Sequence, residues 1–180
     1  MDAIECIKGR RSVRRYTEEV ITKEQFEEIV DLAKMAPTWK NTQTLRYVLI
    51  QDRNLIDRIK DEALLGFEHN AKTLASCNSL VALAQVNGIC GYEKDGSFST
   101  SKGTGWEMFD AGIAAQTFCL AAYEKGLGTC ILGVFDDKIV GEIISLPEGQ
   151  TVTALIPIGT PKFIPDPTPR KEVSELVSYK

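Results

Sequence analysis

The sequence predicts an α+β fold, with helices wrapped around one small sheet. Three features predict it. Apolar residues recur at helical spacing in several separate stretches. Only about four short segments read as strands. The two kinds of segment mix irregularly instead of alternating as βαβ units do. At 180 residues, residues 1–165 are read as one domain, long enough to bury a sizeable core without staples, and 166–180 as an extended arm packing on a partner subunit.

The elements follow in chain order. Ala3 to Lys8 reads as a short helix with Ile4 and Ile7 on one side. Thr22-Lys23-Glu24-Gln25 has the form of a capping box and opens a helix on Phe26, Ile29, Val30 and Ala33, which Pro37 ends. A polar loop covers Thr38 to Thr44. Leu45 to Gln51 is a strand, and Asp52 caps a helix running to about Gly66, with a further helical piece over Phe67 to Ala75. Ser79 to Val86 reads as a buried strand. Asn87 to Gly105, rich in Gly, Ser, Thr and Lys, reads as a mobile loop of functional length.

Trp106 to Lys125 is the strongest helix. Its run Ala111-Gly112-Ile113-Ala114-Ala115 is apolar almost all round, so the helix is expected to be buried, with Gly126 as its C-cap. Thr129 to Val134 is expected as a strand, Asp136 as the cap of a short helix to Ile144, and Val152 to Ile158 as the last strand. The tail from Thr160 holds four prolines and is expected to be extended, not helical.

Composition narrows the chemistry. With a net charge of −4 and a pI near 5.2, bulk nucleic-acid binding is not expected. Apolar runs fall short of a membrane span, no secretory leader is expected, and a reducing cytoplasm suits five scattered cysteines. One histidine, His69, leaves no His-rich zinc site or Ser-His-Asp triad, so no metal is expected.

Against that acidic background, Lys8 to Arg15 holds five cations in eight residues. A solvated patch is one reading. Arginines this close repel one another unless an anion joins them, Arg suits bidentate phosphate recognition, and Ser12 adds a hydroxyl. Arg10, Ser12 and Arg14 alternate and can face one way along an extended segment, leaving Arg15 pointing elsewhere. Arg170-Lys171 is a second cation pair able to close the same pocket. There is no G-x-x-x-x-G-K-[ST] loop and no G-x-G-x-x-G turn, so side chains, not a glycine cradle, must hold any phosphate. In Pro37-Thr38-Trp39-Lys40-Asn41-Thr42-Gln43, Asn41 and Gln43 can read a heterocycle edge, or simply bond their own turn. Gly133, beyond a strand, lets a backbone N–H approach a flat ligand, or is only a turn residue.

Taken together and in order, these segments resemble the nitroreductase family of FMN-dependent oxidoreductases. The match runs through Arg10-Arg11-Ser12-Val13-Arg14, Ala36 to Gln43, Phe109-Asp110-Ala111-Gly112-Ile113-Ala114-Ala115-Gln116, Gly126 to Gly133, Pro157-Ile158-Gly159-Thr160-Pro161 and Arg170-Lys171. The chain departs from the family at Thr44-Leu45, where many relatives have Pro-Trp, and in Gly91 to Gly105.

The resemblance implies a nitroreductase-like fold, with a mostly antiparallel sheet in an intertwined homodimer that exchanges C-terminal arms. It implies FMN at the subunit interface. Arg10, Arg11, Ser12 and Arg14 would meet the phosphate and ribityl chain, with Arg170 or Lys171 closing the phosphate pocket. Pro37, Thr38, Asn41 and Gln43 would come from the other subunit, and Leu132 and Gly133 would offer backbone N–H groups near flavin N5 and O4. It further implies ping-pong reduction of nitro-aromatics, quinones or related electrophiles by NADH or NADPH, with no catalytic side chain required. Trp39, Phe67, His69 and Trp106 are candidates for the substrate cavity, each with core packing as the alternative. A flavin-storing module without turnover and a phosphate-binding adaptor are the competing readings; only the oxidoreductase accounts for the Asn-Gln loop and the cationic tail together.

Overall fold

Capping chemistry sets where the helices start in the computed structural model, which describes residues 2–180. Asp2 and Thr22 each accept the backbone N–H three residues on, and Glu5 and Gln25 reach back to the cap's own N–H. These reciprocal boxes open α1 (Ala3–Gly9) and α2 (Lys23–Ala33). Asp52 caps α3 (Arg53–Arg58), and Asp136 caps α6 (Asp137–Ile143). The remaining helices are α4 (Glu68–Leu74), α5 (Gly105–Glu124) and α7 (Val173–Leu176).

The sheet has the order β1-β2-β4-β3, with every pair antiparallel. Its strands are β1 (Leu45–Ile50), β2 (Leu80–Val86), β3 (Gly128–Thr129) and β4 (Gln150–Gly159). One face packs against α2 and α5 through Val81, Leu83, Ile156, Phe118 and Ile29. The other packs through Leu80, Ala82, Leu155, Ile56, Ile59 and Val140. Between Ala154 and Val152 the register on β2 slips by one residue, at the bulged Thr153, whose hydroxyl donates to the Leu83 carbonyl. That extra residue puts Val152 and Ala154 on opposite faces although they are two apart.

Four expectations need correction. The helix after Asp52 does not run evenly to Gly66. It passes into a π turn at Ile59–Ala63 and stops where Leu65 and Gly66 take positive φ. The carbonyl of Ala63 is used instead by the Asp136 N–H, at 2.8 Å. The strand expected over Thr129 to Val134 shrinks to β3 plus one bridge, Leu132 to Leu155. Cys130 N–H donates to the Pro157 carbonyl, and Pro157 has no N–H to return the bond. Helix α5 is not buried all round: Met108, Phe109, Gly112 and Gln116 lie open, because this chain covers only the face carrying Ala111, Ala115 and Phe118. The tail is extended through its prolines but closes one helical turn, α7, beyond Pro169, where nothing removes the N–H groups it needs. Beyond Lys162 the tail's hydrogen bonds, among the described residues, stay within the tail, and Phe163, Ile164, Val173 and Leu176 are exposed.

Among the described residues no helix is long and apolar enough to cross a membrane. All five cysteines are free thiols, and Cys77, Cys90, Cys119 and Cys130 are buried. Burial pushes the Cys77 thiol from 9.0 up to about 12. Below pH 9 this thiol is protonated whether folded or not. Above it the unfolded chain ionises first and binds fewer protons, so stability falls as pH rises from 9 toward 12. Chemical denaturation should show a midpoint that declines across that window, at a limiting slope of about 1.4 kcal/mol per pH unit for each such thiol. A Cys77→Ala variant should decline less steeply, and an equal slope would exclude this thiol as a source.

Candidate functional site

The basic segment is fixed by its neighbours, not by its charges. Helix α1 leans on α5, with the Cys6 thiol donating to the Leu120 carbonyl. The chain then runs extended beside β3, where Ser12 bridges Thr129 in parallel and Val13 N–H donates to the Thr129 carbonyl at 2.9 Å. Val13 is buried against Gly128, where an added Cβ would lie 2.6 Å from a Val13 methyl, so glycine permits this approach. Tyr16 is also buried; its hydroxyl donates to the carbonyls of Val13 and Pro157.

This fixing sorts the four arginines. Arg11 donates to the carbonyls of Lys8 and Arg10 and so closes the end of α1. Arg15 turns away to a separate cleft of about 600 Å³, lined also by Ser76, Asn78 and Lys162. Arg14 makes one long bond, 3.3 Å, to the Ser12 carbonyl. Arg10 is half-buried, and its guanidinium has no partner among the described residues. Arg10, Ser12 and Arg14 border the Cys130 thiol, whose ionisation is pushed up by burial and opposed by Arg14, by a bond to Ser12 and by Arg10.

From Cys130 the chain enters the Leu132–Asp136 loop. Leu132 exchanges backbone bonds with Leu155, at 2.8 and 3.1 Å. Buried Asn70 on α4 donates to the Val134 carbonyl at 3.2 Å, and the Ala63 carbonyl takes the Asp136 N–H. The loop is therefore pinned on both sides of Gly133. Gly133 itself is exposed, its N–H bonds nothing among the described residues, and a Cβ built there would meet nothing within 4 Å. Phe67 and His69, 6.2 Å apart between ring centres, stand at the start of α4 on this side and are exposed.

The Asn-Gln loop is different in kind. Lys40, Asn41 and Gln43 all take positive φ, of 45, 56 and 51°. Such residues cost of order 1 kcal/mol each, least for Asn, and persist only where surroundings hold them. The Thr38 hydroxyl accepts the Gln43 N–H, and the Asp110 carboxylate accepts the Trp39 N–H at 2.7 Å. The exposed Asn41 side chain makes no bond among the described residues. Pro37 is exposed, and a cleft of about 210 Å³ between α2 and β1 reaches Thr38 and Gln43. Trp39 packs against Trp106 with ring centres 4.5 Å apart and ring planes tilted by 50°.

The sequence-derived candidates thus fall into two groups within one chain. Arg10, Arg11, Ser12 and Arg14 follow α1, which rests on the C-terminal part of α5, and Leu132 and Gly133 follow β3, the strand that Ser12 bridges. Pro37, Thr38, Trp39, Asn41, Gln43 and Trp106 gather near the N-terminal end of α5. Asp110, which accepts from Trp39, and Leu120, which accepts from Cys6 on the helix leading into the arginines, are ten residues apart on α5, about 15 Å along its axis. Arg170 and Lys171 join neither group: both are exposed on the tail, with Arg170 bonded to Thr168 and Pro169.

Sequence reasoning missed Asn70, Glu107 and Asp110. The signal for the last two was present: two acids stand in the first turns of a helix whose next residues, Ala111 to Ala115, are apolar.

A family model described as the nitroreductase family matches residues 7–160. The chain belongs to the nitroreductase family. Among curated relatives, a Methanothermobacter thermautotrophicus protein provisionally named NADH dehydrogenase/NAD(P)H nitroreductase is 28% identical over 165 residues, covering 89% of this chain and 78% of the relative. The NADPH-flavin oxidoreductase of Vibrio harveyi is 29% identical over 173 residues, covering 94% and 70%. Among solved structures, a nitroreductase family protein from Streptococcus pneumoniae TIGR4 superposes with a TM-score of 0.85 at 18% identity, over 99% and 100% of the two chains. A protein from Exiguobacterium sibiricum, provisionally described as a nitroreductase and solved in complex with FMN, gives 0.83 at 19% identity, over 100% and 98%. The nitroreductase fold expected from the sequence is therefore the fold observed.

The residues of this nitroreductase family member fit a flavin mononucleotide. Arg10 presents an unpartnered guanidinium for a phosphate, and Gly133 an open N–H for a ring acceptor. Asn41 offers a free amide. Beside it, the buried Trp39 Nε1 and Thr42 Oγ1 have no partner among the described residues.

Proposed function

We propose that the chain is an FMN-dependent NAD(P)H oxidoreductase of the cytoplasm, acting as a homodimer with two flavin sites at the subunit interface. The separation of the two candidate groups toward opposite ends of α5 carries this reading. A single copy offers phosphate ligands at one end and heterocycle-reading amides at the other. A second copy, packed on the open α5 face of Met108, Phe109, Gly112 and Gln116, completes each site. The arm 166–180, with Val173, Leu176 and Tyr179 exposed, packs on the partner and brings Arg170 or Lys171 to the phosphate.

In this site Arg10, Arg14 and Ser12 hold the phosphate and ribityl chain, and Arg11 braces the segment from behind. Leu132 holds the loop in register so that the Gly133 N–H donates to the ring edge. Pro37, Thr38, Asn41 and Gln43 of the other copy border the ring, while Trp39, Trp106, Phe67 and His69 line the space for substrates. FMN held there would supply two-electron redox chemistry. NADH or NADPH and an electrophile, a nitro-aromatic or a quinone, take turns at one open face, a ping-pong order. No acid or base from the chain is needed. The names of the relatives, which include an FMN reductase (NADPH) of Bacillus subtilis, support the reading.

Rapid anaerobic mixing of the FMN-loaded protein with NADH and NADPH tests it. Bleaching of the flavin band within a turnover time is expected. A protein that takes up no FMN contradicts the flavin assignment, and one that holds FMN without reduction is a storage module.

A further inference from the structure

The first turns of α5 carry two carboxylates buried to 6% and 3% exposure, Glu107 and Asp110, in a helix whose other inward residues are apolar. Neither is in an ion pair among the described residues. Each accepts from a loop. Glu107 Oε1 takes the Gly88 N–H at 2.8 Å. Asp110 Oδ2 takes the Trp39 N–H at 2.7 Å and the Cys90 thiol at 3.1 Å. Asp110 therefore joins the strained 38–43 loop to the 87–105 segment through a single oxygen.

We infer that Asp110 is a positioning residue that latches the flavin-bordering loop and ties it to the 87–105 segment, whose Thr100 tethers Trp106. The 38–43 loop needs such a latch. Its three left-handed residues are unfavourable, and its other backbone bonds are local, Asn41 to Thr38 and Thr42 to Trp39. The remaining polar contacts to the rest of the chain are exposed: the Lys40 to Glu93 ion pair at 3.4 Å, and the bond from Arg46 to the Gln43 carbonyl. A buried, charged acceptor is stronger than either. The same latch fixes Trp39 against Trp106, which is itself tethered by its Nε1 donating to Thr100 at 2.8 Å. One carboxylate thus sets where Asn41 and Gln43 stand and how the tryptophan pair faces the cavity.

The proposal rests on the flavin reading, and two measurements separate them. Amide hydrogen exchange at Trp39, which needs no flavin, reports the latch; FMN titration reports its use. In Asp110→Ala, Trp39 exchange should quicken at least tenfold and FMN affinity should fall about tenfold. Asp110→Asn keeps an acceptor oxygen without the charge, so both effects should be a few-fold, a partial rescue that also serves if the alanine variant does not fold. Glu107→Ala should free the Gly88 amide and leave Trp39 exchange and FMN affinity unchanged. A merely structural carboxylate would lower the melting temperature without this ordering of affinities. Wild-type exchange at Trp39 in both Asp110 variants overturns the latch, and so does wild-type FMN affinity. A wild-type protein that takes up no FMN overturns the flavin reading, and Trp39 exchange then decides the latch alone.

Discussion

Replacing Arg10 by alanine is expected to weaken FMN binding by roughly 1.5–3 kcal/mol, a loss of about 10- to 150-fold. Arg10 is the strongest candidate of the cluster because its guanidinium is half-buried and unpartnered among the described residues. Arg14, spending one long bond on Ser12, should cost an amount in the same range. Arg11 should behave differently. Its bonds to Lys8 and Arg10 carbonyls brace α1, so Arg11→Ala should disturb stability along with affinity. Arg15→Ala is the control, since its side chain lines another cleft. Titration of each apo variant with FMN, followed by flavin fluorescence, checks the order. Unchanged affinity in both Arg10→Ala and Arg14→Ala would remove the phosphate assignment.

Deleting residues 166–180 is expected to weaken both FMN retention and the dimer. The deleted arm has no hydrogen bond to the body of its own chain among the described residues, so the fold of the body should survive. It carries Val173, Leu176, Val177 and Tyr179 in the open, apolar area whose burial against another copy would contribute at about 25 cal/mol per Å². It also carries Arg170 and Lys171. Sedimentation velocity and retained flavin absorbance read the two effects together. A truncated protein that stays dimeric and yellow contradicts the arm assignment.

Much of the fold was legible because its signals are local. The capping box at Thr22, the caps at Asp52 and Asp136, and the left-handed Gly126 are each fixed within a few residues. What the sequence hid depends on distant partners. The strand after Thr129 is cut short by Pro157, and the helix after Arg58 is diverted because Asp136 claims the Ala63 carbonyl. The open face of α5 carries Met108 and Phe109, so its composition reads as core although this chain leaves it uncovered. The candidate residues were legible as types, but the sorting of Arg10 from Arg11 required knowing which carbonyls stand beside each. Glu107 and Asp110 were visible as acids in an apolar stretch, but the loops that they and Asn70 hold are remote in sequence, so spacing could not name their partners.

The central claim is that each site is shared between two copies. A purified mixed dimer tests it most directly. One differently tagged copy carries Arg10→Ala with Arg14→Ala, and the other carries Asn41→Ala with Gln43→Ala. If sites are shared, one site of the mixed dimer receives both defects and the other receives none. Titration should then show one FMN per dimer bound with wild-type affinity, although neither parent homodimer binds at that strength. If each copy builds its own site, both sites are damaged, and the absence of any wild-type-affinity FMN in the mixed dimer would contradict the shared site.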